Sequence, residues 1–238
     1  MLNFPNNPSG YTPTKTEAGA ITEILYRSAE KGNNIIALID DAYFGLVYED
    51  GIATESIFAS LAGLHKKILA VKIDGPTKED YVWGFRVGFI TYGIRGGTGE
   101  LYSSLESKTA GAIRGNISNA SNLSQSLLLS AYSSSGYATQ KMNKFKIMKQ
   151  RYDIIKETLK ENKYKEFFTA LPFNSGYFMC IKLKNLDAET LRLHLLDKYG
   201  VGLISVGKSD LRVAFSCLDE KDIQELFDIV LQGANDLN

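Results

Sequence analysis

Four short stretches of this sequence carry side chains able to do chemistry together. Lys78 follows Thr77, and Gly84 and Arg86 stand six and eight positions behind it, within Gly84-Phe85-Arg86-Val87-Gly88. An amine that gives up its proton becomes a nucleophile and a base, and burial or a nearby positive charge promotes that loss. Asp40-Asp41-Ala42-Tyr43 comes directly after the apolar run Ile35-Ile36-Ala37-Leu38-Ile39. In open α/β sheets ligands bind beyond the carboxyl ends of strands, so an acid there is well placed. A helix N-cap is the competing role for Asp40 or Asp41. Arg212 lies inside Leu211-Arg212-Val213-Ala214-Phe215, where a guanidinium needs an anion from the protein or from a ligand. Asn7-Pro8-Ser9-Gly10 reads by itself as a turn. Each stretch alone has an ordinary explanation, since a lone lysine is normally a solvated charge.

Order and spacing together say more. Asn-Pro-Ser-Gly, then Asp-x-Ala-Tyr, then Lys followed by Gly-x-Arg-x-Gly, then a late strand arginine resembles the fold-type I aminotransferases over essentially the whole chain. The Lys78, Gly84 and Arg86 spacing is similar to that of aspartate aminotransferases. The resemblance implies pyridoxal 5'-phosphate as cofactor, with Lys78 carrying it and serving as general base and acid at the substrate α-carbon. It implies Asp40 against the pyridine nitrogen, keeping the ring an electron sink, and Asn7 and Tyr43 on the ring hydroxyl oxygen. Arg86, with Thr77, would hold the phosphate, and Arg212 the substrate α-carboxylate as a bidentate pair.

Arg114-Gly115-Asn116-Ile117-Ser118-Asn119 is similar to the stretch whose arginine reaches across the family's dimer to the substrate's distal carboxylate. Ala120-Ser121 stands where the family has Pro-Pro, and a surface or helix-end arginine is the equal alternative. The implied partners are an amino acid, aspartate or another dicarboxylate favoured, a 2-oxo acid, and a second copy in a homodimer. A lyase using the same cofactor and a ligand-sensing domain of aminotransferase shape stay open as alternatives. Lys72, the rival amine, lies inside an apolar run without the Gly-x-Arg spacing and reads as a strand-edge residue. Gly75 replaces a serine that the family commonly uses on the phosphate.

These residues need elements to position them. A helical pattern runs from about Thr16 to Lys31, with Gly32 and Asn33 as stop signals. Three apolar runs, Ile35 to Ile39, Ile68 to Ile73 and Val87 to Thr91, suit parallel strands covered on both faces by helices. From about Gly136 the character changes. Phe145, Met148, Tyr152, Ile155 and Leu159 form one stripe of a long helix. Short strands follow near Tyr177 to Leu183 and Leu211 to Phe215, with helices near Ala188 to Tyr199 and Asp219 to Leu231, Asp219 being the expected N-cap. The expected fold class is α/β. Residues 1–135 are read as part of a large, mostly parallel cofactor-binding domain, and 136–238 as the long helix with a smaller α+β domain.

Composition narrows the classes. The 238 residues are 44% hydrophobic, enough for a sizeable core, and 27 basic side chains balance 27 acidic ones. No basic excess draws nucleic acid or an anionic membrane surface. No apolar run approaches the length of a membrane span and no signal peptide is visible, so a cytoplasmic protein is expected. Cys180 and Cys217 read as free buried thiols, and His65 and His194 show no zinc-ligand spacing. Residue 1 falls just before the Asn-Pro-Ser-Gly turn. The resemblance implies a long portion ahead of it, holding a Gly-rich phosphate-binding helix end and a ring-stacking aromatic. A truncated chain with little or no turnover by itself is therefore expected.

Overall fold

A computed structural model describes residues 1–237. Two compact units are present: one of Met1–Pro5, Pro13–Gly45 and Gly51–Ala138, the other of Asn6–Thr12, Leu46–Asp50 and Thr139–Asn238. The contiguous division expected at residue 136 thus misses two short segments that group with the later part of the chain.

The first unit is a four-stranded sheet in the order β1 (Leu2–Asn3), β2 (Ile35–Asp40), β3 (Ile68–Asp74), β4 (Phe89–Gly93). Between β1 and β2 runs α1 (Lys15–Glu30). Its start is set by a capping box in which Thr14 accepts from the Glu17 N–H while the Glu17 carboxylate accepts from Thr14. The short helix α2 (Ile57–Leu61) precedes β3. Ala37, Ile39 and Ala70 of the strands pack with Ile57 and Leu61 of α2 and with Ile21 and Leu25 of α1. Burial of that kind contributes about 1.5–3 kcal/mol per large side chain. Two expectations are corrected here. β4 is antiparallel to β3, and the face opposite α1 and α2 is only partly covered. On that face Ile36, Leu38, Ile73 and Ile90 are 67%, 37%, 47% and 41% exposed.

α3 (Pro76–Glu79) follows β3, and α4 (Gly99–Asn116) and α5 (Asn122–Tyr132) follow β4. α4 buries no residue and α5 buries only Leu128, so neither carries a readable stripe. The chain leaves the first unit within α6 (Tyr137–Thr158).

The second unit is an antiparallel sheet in the order β5 (Phe168–Ala170), β6 (Met179–Leu183), β8 (Asp210–Val213), β7 (Ile204–Val206), with α7 (Ala188–Tyr199) and α8 (Ile223–Asp236). Alternate residues Met179, Ile181, Leu183, Leu211 and Val213 are buried with Leu191, Leu195, Phe227 and Val230. α6 contributes Met148, Tyr152 and Ile155, and the Tyr152 ring lies 5.0 Å from Tyr48. Asp219 is not the cap of the last helix. A 3₁₀ turn (Glu220–Asp222) intervenes, and α8 starts after Asp222 without a side-chain cap bond. Cys180 is buried, but Cys217 is exposed, against expectation. No described helix is long and apolar enough to cross a membrane.

Candidate active site

In-register parallel pairing brings Asp40 opposite Ile73, so β2 and β3 end together at one edge of the sheet. β3 and β4 then pair antiparallel with Asp74 opposite Phe89. Residues 75–88 are therefore a closed return loop standing on that edge. This topology brings together Lys78, near the start of the loop, and Arg86, near its end. A cavity of about 310 Å³ is lined there by Asp40, Ala42, Asp74, Gly75, Thr77, Lys78, Arg86 and Val87, among others.

The Lys78 ammonium lies 5.6 Å from the centroid of the Tyr43 ring, and Tyr43 is buried. Burial, and then the Arg86 guanidinium, hold the Lys78 amine below the ordinary lysine range. Both effects favour the neutral, nucleophilic form. The Asp40 carboxylate accepts from the Ala42 N–H at 3.2 Å, closing a local turn. No helix starts there, so the N-cap alternative for this pair falls away.

Asp41 is buried at 3% exposure. Its Oδ2 has no hydrogen-bond partner, and Lys72 Nζ is 3.9 Å away. Burial pushes its carboxyl upward, against a hydrogen bond from Ser56 and the Lys72 charge. Lys72 itself is ion-paired to Asp74. It sits in β3, an interior strand of the sheet, not at an edge as its sequence context suggests.

Gly75 explains the missing serine. A Cβ there would stand 2.7 Å from the Val87 carbonyl oxygen and 3.0 Å from Gly88 Cα, so the two ends of the loop cross where a side chain would be.

The second unit holds a separate pair. The Arg212 Nη1 donates to Asn7 Oδ1 at 2.9 Å, and the guanidinium stacks over the Phe178 ring at 4.3 Å. Arg212 Nε is buried without a hydrogen-bond partner, leaving part of the donor fork for an anion. Asn7 is presented by a stitched segment. Thr12 and Asn174 exchange two bonds, Thr12 N–H to Asn174 Oδ1 and Asn174 Nδ2 to the Thr12 carbonyl, each 2.9 Å. Ser175 Oγ donates to the Gly10 carbonyl at 3.0 Å. Gly10 has φ +72°, and a Cβ there would lie 1.9 Å from the Phe178 carbonyl oxygen.

Of the residues singled out in the sequence, Asp40, Thr77, Lys78 and Arg86 line one cavity, with the Tyr43 ring close to the Lys78 amine. Asn7 and Arg212 meet in the other unit. Arg114 does not join either group. It lies exposed in the last turn of α4 and donates to Ser118 Oγ at 2.6 Å. Asp74 and Phe178 were not anticipated. Asp74 had a signal, an acid closing an apolar run; Phe178 had none without the strand register.

Comparison with known proteins bears on the family and the fold. The sequence pattern of the family Aminotransferase class I and II matches residues 1–230. An aminotransferase from Anaerococcus prevotii is 26% identical with a TM-score of 0.82, the match covering 98% of this chain and 56% of that one. An aspartate aminotransferase from Thermotoga maritima is 23% identical, with a TM-score of 0.74 and coverage of 98% and 56%. An α-aminoadipate aminotransferase from Thermus thermophilus, complexed with N-(5'-phosphopyridoxyl)-L-leucine, is 19% identical, with a TM-score of 0.78 and coverage of 100% and 58%. The chain thus spans somewhat more than half the length of these solved structures. No curated protein matches the sequence. With the family pattern extending over 230 of its residues, the chain belongs to the class I and II aminotransferases.

Proposed function

We propose that this chain carries the lysine and ligand-holding groups of a pyridoxal-phosphate-dependent aminotransferase. It would act between an amino acid, aspartate or another dicarboxylate, and a 2-oxo acid. The observation that carries the reading is the lowered Lys78 amine beside Arg86 in one cavity with Asp40. The residues fit the cofactor by their chemistry: an amine biased toward its neutral form, a cation for a phosphate, and an acid at a strand end for a ring nitrogen. In the second unit, the unpaired Arg212 Nε offers the open half of a fork to a carboxylate.

In this reading Lys78 holds the cofactor's aldehyde carbon, Asp40 the pyridine nitrogen, Arg86 and Thr77 the phosphate, and Tyr43 and Asn7 the ring hydroxyl oxygen. The bound cofactor supplies an electron sink for charge developing at the substrate α-carbon. A neutral Lys78 amine would be the base that takes the substrate α-proton and the acid that returns it. Arg212 fixes the substrate carboxylate, and such orientation is worth up to roughly ten kcal/mol. Arg114 would take a distal carboxylate. The first unit would be the cofactor-binding part and the second the smaller domain of a homodimeric enzyme.

Titration of the chain with pyridoxal phosphate tests this. The expected result is a saturable absorbance change, lost in Lys78→Ala. An unchanged absorbance band in Lys78→Ala would refute Lys78 as the carrier and move the role to Lys72.

A further inference from the structure

We propose that Asp80 is a positioning residue for the Lys78 loop, its carboxylate gripped by the hydroxyls of Tyr132 and Tyr137 so that Lys78 and Arg86 stay together at the cavity. The proposal rests on Lys78 as the cofactor-bearing amine.

The loop has little regular secondary structure of its own. α3 is four residues long, far shorter than a helix that persists alone. Tyr81 and Arg86, neither of them glycine, have φ of 60° and 55°, a left-handed conformation that surrounding structure must enforce. Asp80 lies between α3 and this strained stretch, and its N–H caps α3 on the Pro76 carbonyl at 2.9 Å. Tyr132 OH donates to Asp80 Oδ2 at 2.8 Å and Tyr137 OH to Oδ1 at 2.5 Å. Both carboxylate oxygens are therefore engaged, which fixes the group's rotation as well as its position.

The two donors flank the turn between helices. Tyr132 ends α5 and Tyr137 begins α6, and their rings pack edge to face at 5.1 Å. Burial and the Asp80 carboxylate push the Tyr132 hydroxyl upward, so it remains a donor. The influences that lower Lys78 are burial and Arg86, both consequences of where the loop is held.

The test uses Tyr132→Phe/Tyr137→Phe, which keeps both rings and removes both donors, and Asp80→Asn as a second, milder variant. Tyr92→Phe, which removes a hydroxyl bonded to Thr109 elsewhere in the same unit, is the control. Without cofactor, the pH midpoint of Lys78 acylation is read by competitive labelling and mass spectrometry. With cofactor, pyridoxal phosphate affinity is read by absorbance, and circular dichroism reports folding. The expected result is a raised Lys78 midpoint and affinity weakened roughly tenfold in the double variant, a smaller change of the same sign in Asp80→Asn, and neither change in Tyr92→Phe. Unchanged midpoint and affinity in a folded double variant would overturn the proposal, and should that variant not fold, an unchanged Asp80→Asn would do so. The labelling midpoint needs no cofactor, so it judges the clamp even where Lys78→Ala shows that the cofactor reading has failed.

Discussion

Replacing Gly75 by serine, the residue family resemblance favours at this position, should harm the site. The added Cβ would meet the Val87 carbonyl oxygen at 2.7 Å and Gly88 Cα at 3.0 Å. Both are backbone atoms, and neither can swing aside as a flexible side-chain tip would. Gly75 itself has φ 164°, an extended conformation open to any residue, so the cost is contact alone. Overpacking of this kind costs typically about 1–3 kcal/mol. Relief requires the two ends of the 75–88 loop to separate, which carries Lys78 and Arg86 with them. Urea unfolding of the chain and of Gly75→Ser should show a loss in that range. The pyridoxal phosphate titration should show weaker binding in spite of the new hydroxyl. A variant as stable as the parent that binds the cofactor more tightly would refute the argument.

Three further outcomes are expected. Arg212→Lys keeps the charge but loses the planar fork, so amino-acid affinity should fall about 10- to 100-fold with cofactor affinity unchanged, read by titrating the cofactor-loaded protein with aspartate. Gly10→Ala should destabilise the second unit strongly, because its φ is +72° and its Cβ would lie 1.9 Å from a backbone oxygen; amide exchange at β6 and β8 would report it. Asp41→Asn should remove a pH slope. The Asp41 carboxyl is raised in the folded chain, so the folded state holds the proton longer than the unfolded one. Its contribution is most favourable below about pH 4 and declines as pH rises through the folded value. The stability difference between parent and variant should fall over that window by no more than about 1.4 kcal/mol per pH unit, and a flat or rising difference would contradict the sign.

Several elements were legible because their residues are dedicated to one task. β2 and β3 are continuous apolar runs, and the Phe145 to Ile155 stripe of α6 has helical spacing. The Lys78 and Arg86 pair was singled out by the resemblance of its spacing, and the 75–88 loop brings both side chains to one cavity. What remained hidden depends on pairing between distant segments. Nothing in Phe89–Gly93 distinguishes a parallel from an antiparallel neighbour. Phe178 meets Arg212 only because Cys180 lies opposite Arg212 across β6 and β8. Asp80 finds its donors 52 and 57 residues away. α4 and α5 bury almost nothing, so no periodic stripe announces them. The apolar character of β2 and β3 on both faces predicted two covered faces, whereas Ile36 and Ile73 stand exposed.

The edge of the first sheet combines two groups whose pH effects oppose each other. Burial disfavours the charged form of both Lys78 and Asp41. For Lys78 the unfolded chain holds the proton longer, so stability rises as pH climbs through the folded value toward the ordinary lysine range. For Asp41 the folded chain holds it longer, so stability is recovered as pH falls. At intermediate pH neither relief is available, and both charges stand in surroundings that disfavour them. The two terms differ in what offsets them. Asp41 has Ser56 and Lys72 close by within the fold, whereas Arg86, the charge acting on Lys78, repels it. An amine held next to a guanidinium is a poor structural choice and a good chemical one, because the same repulsion that costs stability keeps a neutral lysine within reach. Binding an anion at Arg86 would relieve that repulsion and draw the Lys78 amine back toward its ordinary range. In the proposed reading phosphate and amine would be coupled through Arg86, and the proposed grip on Asp80 would keep that side chain in place.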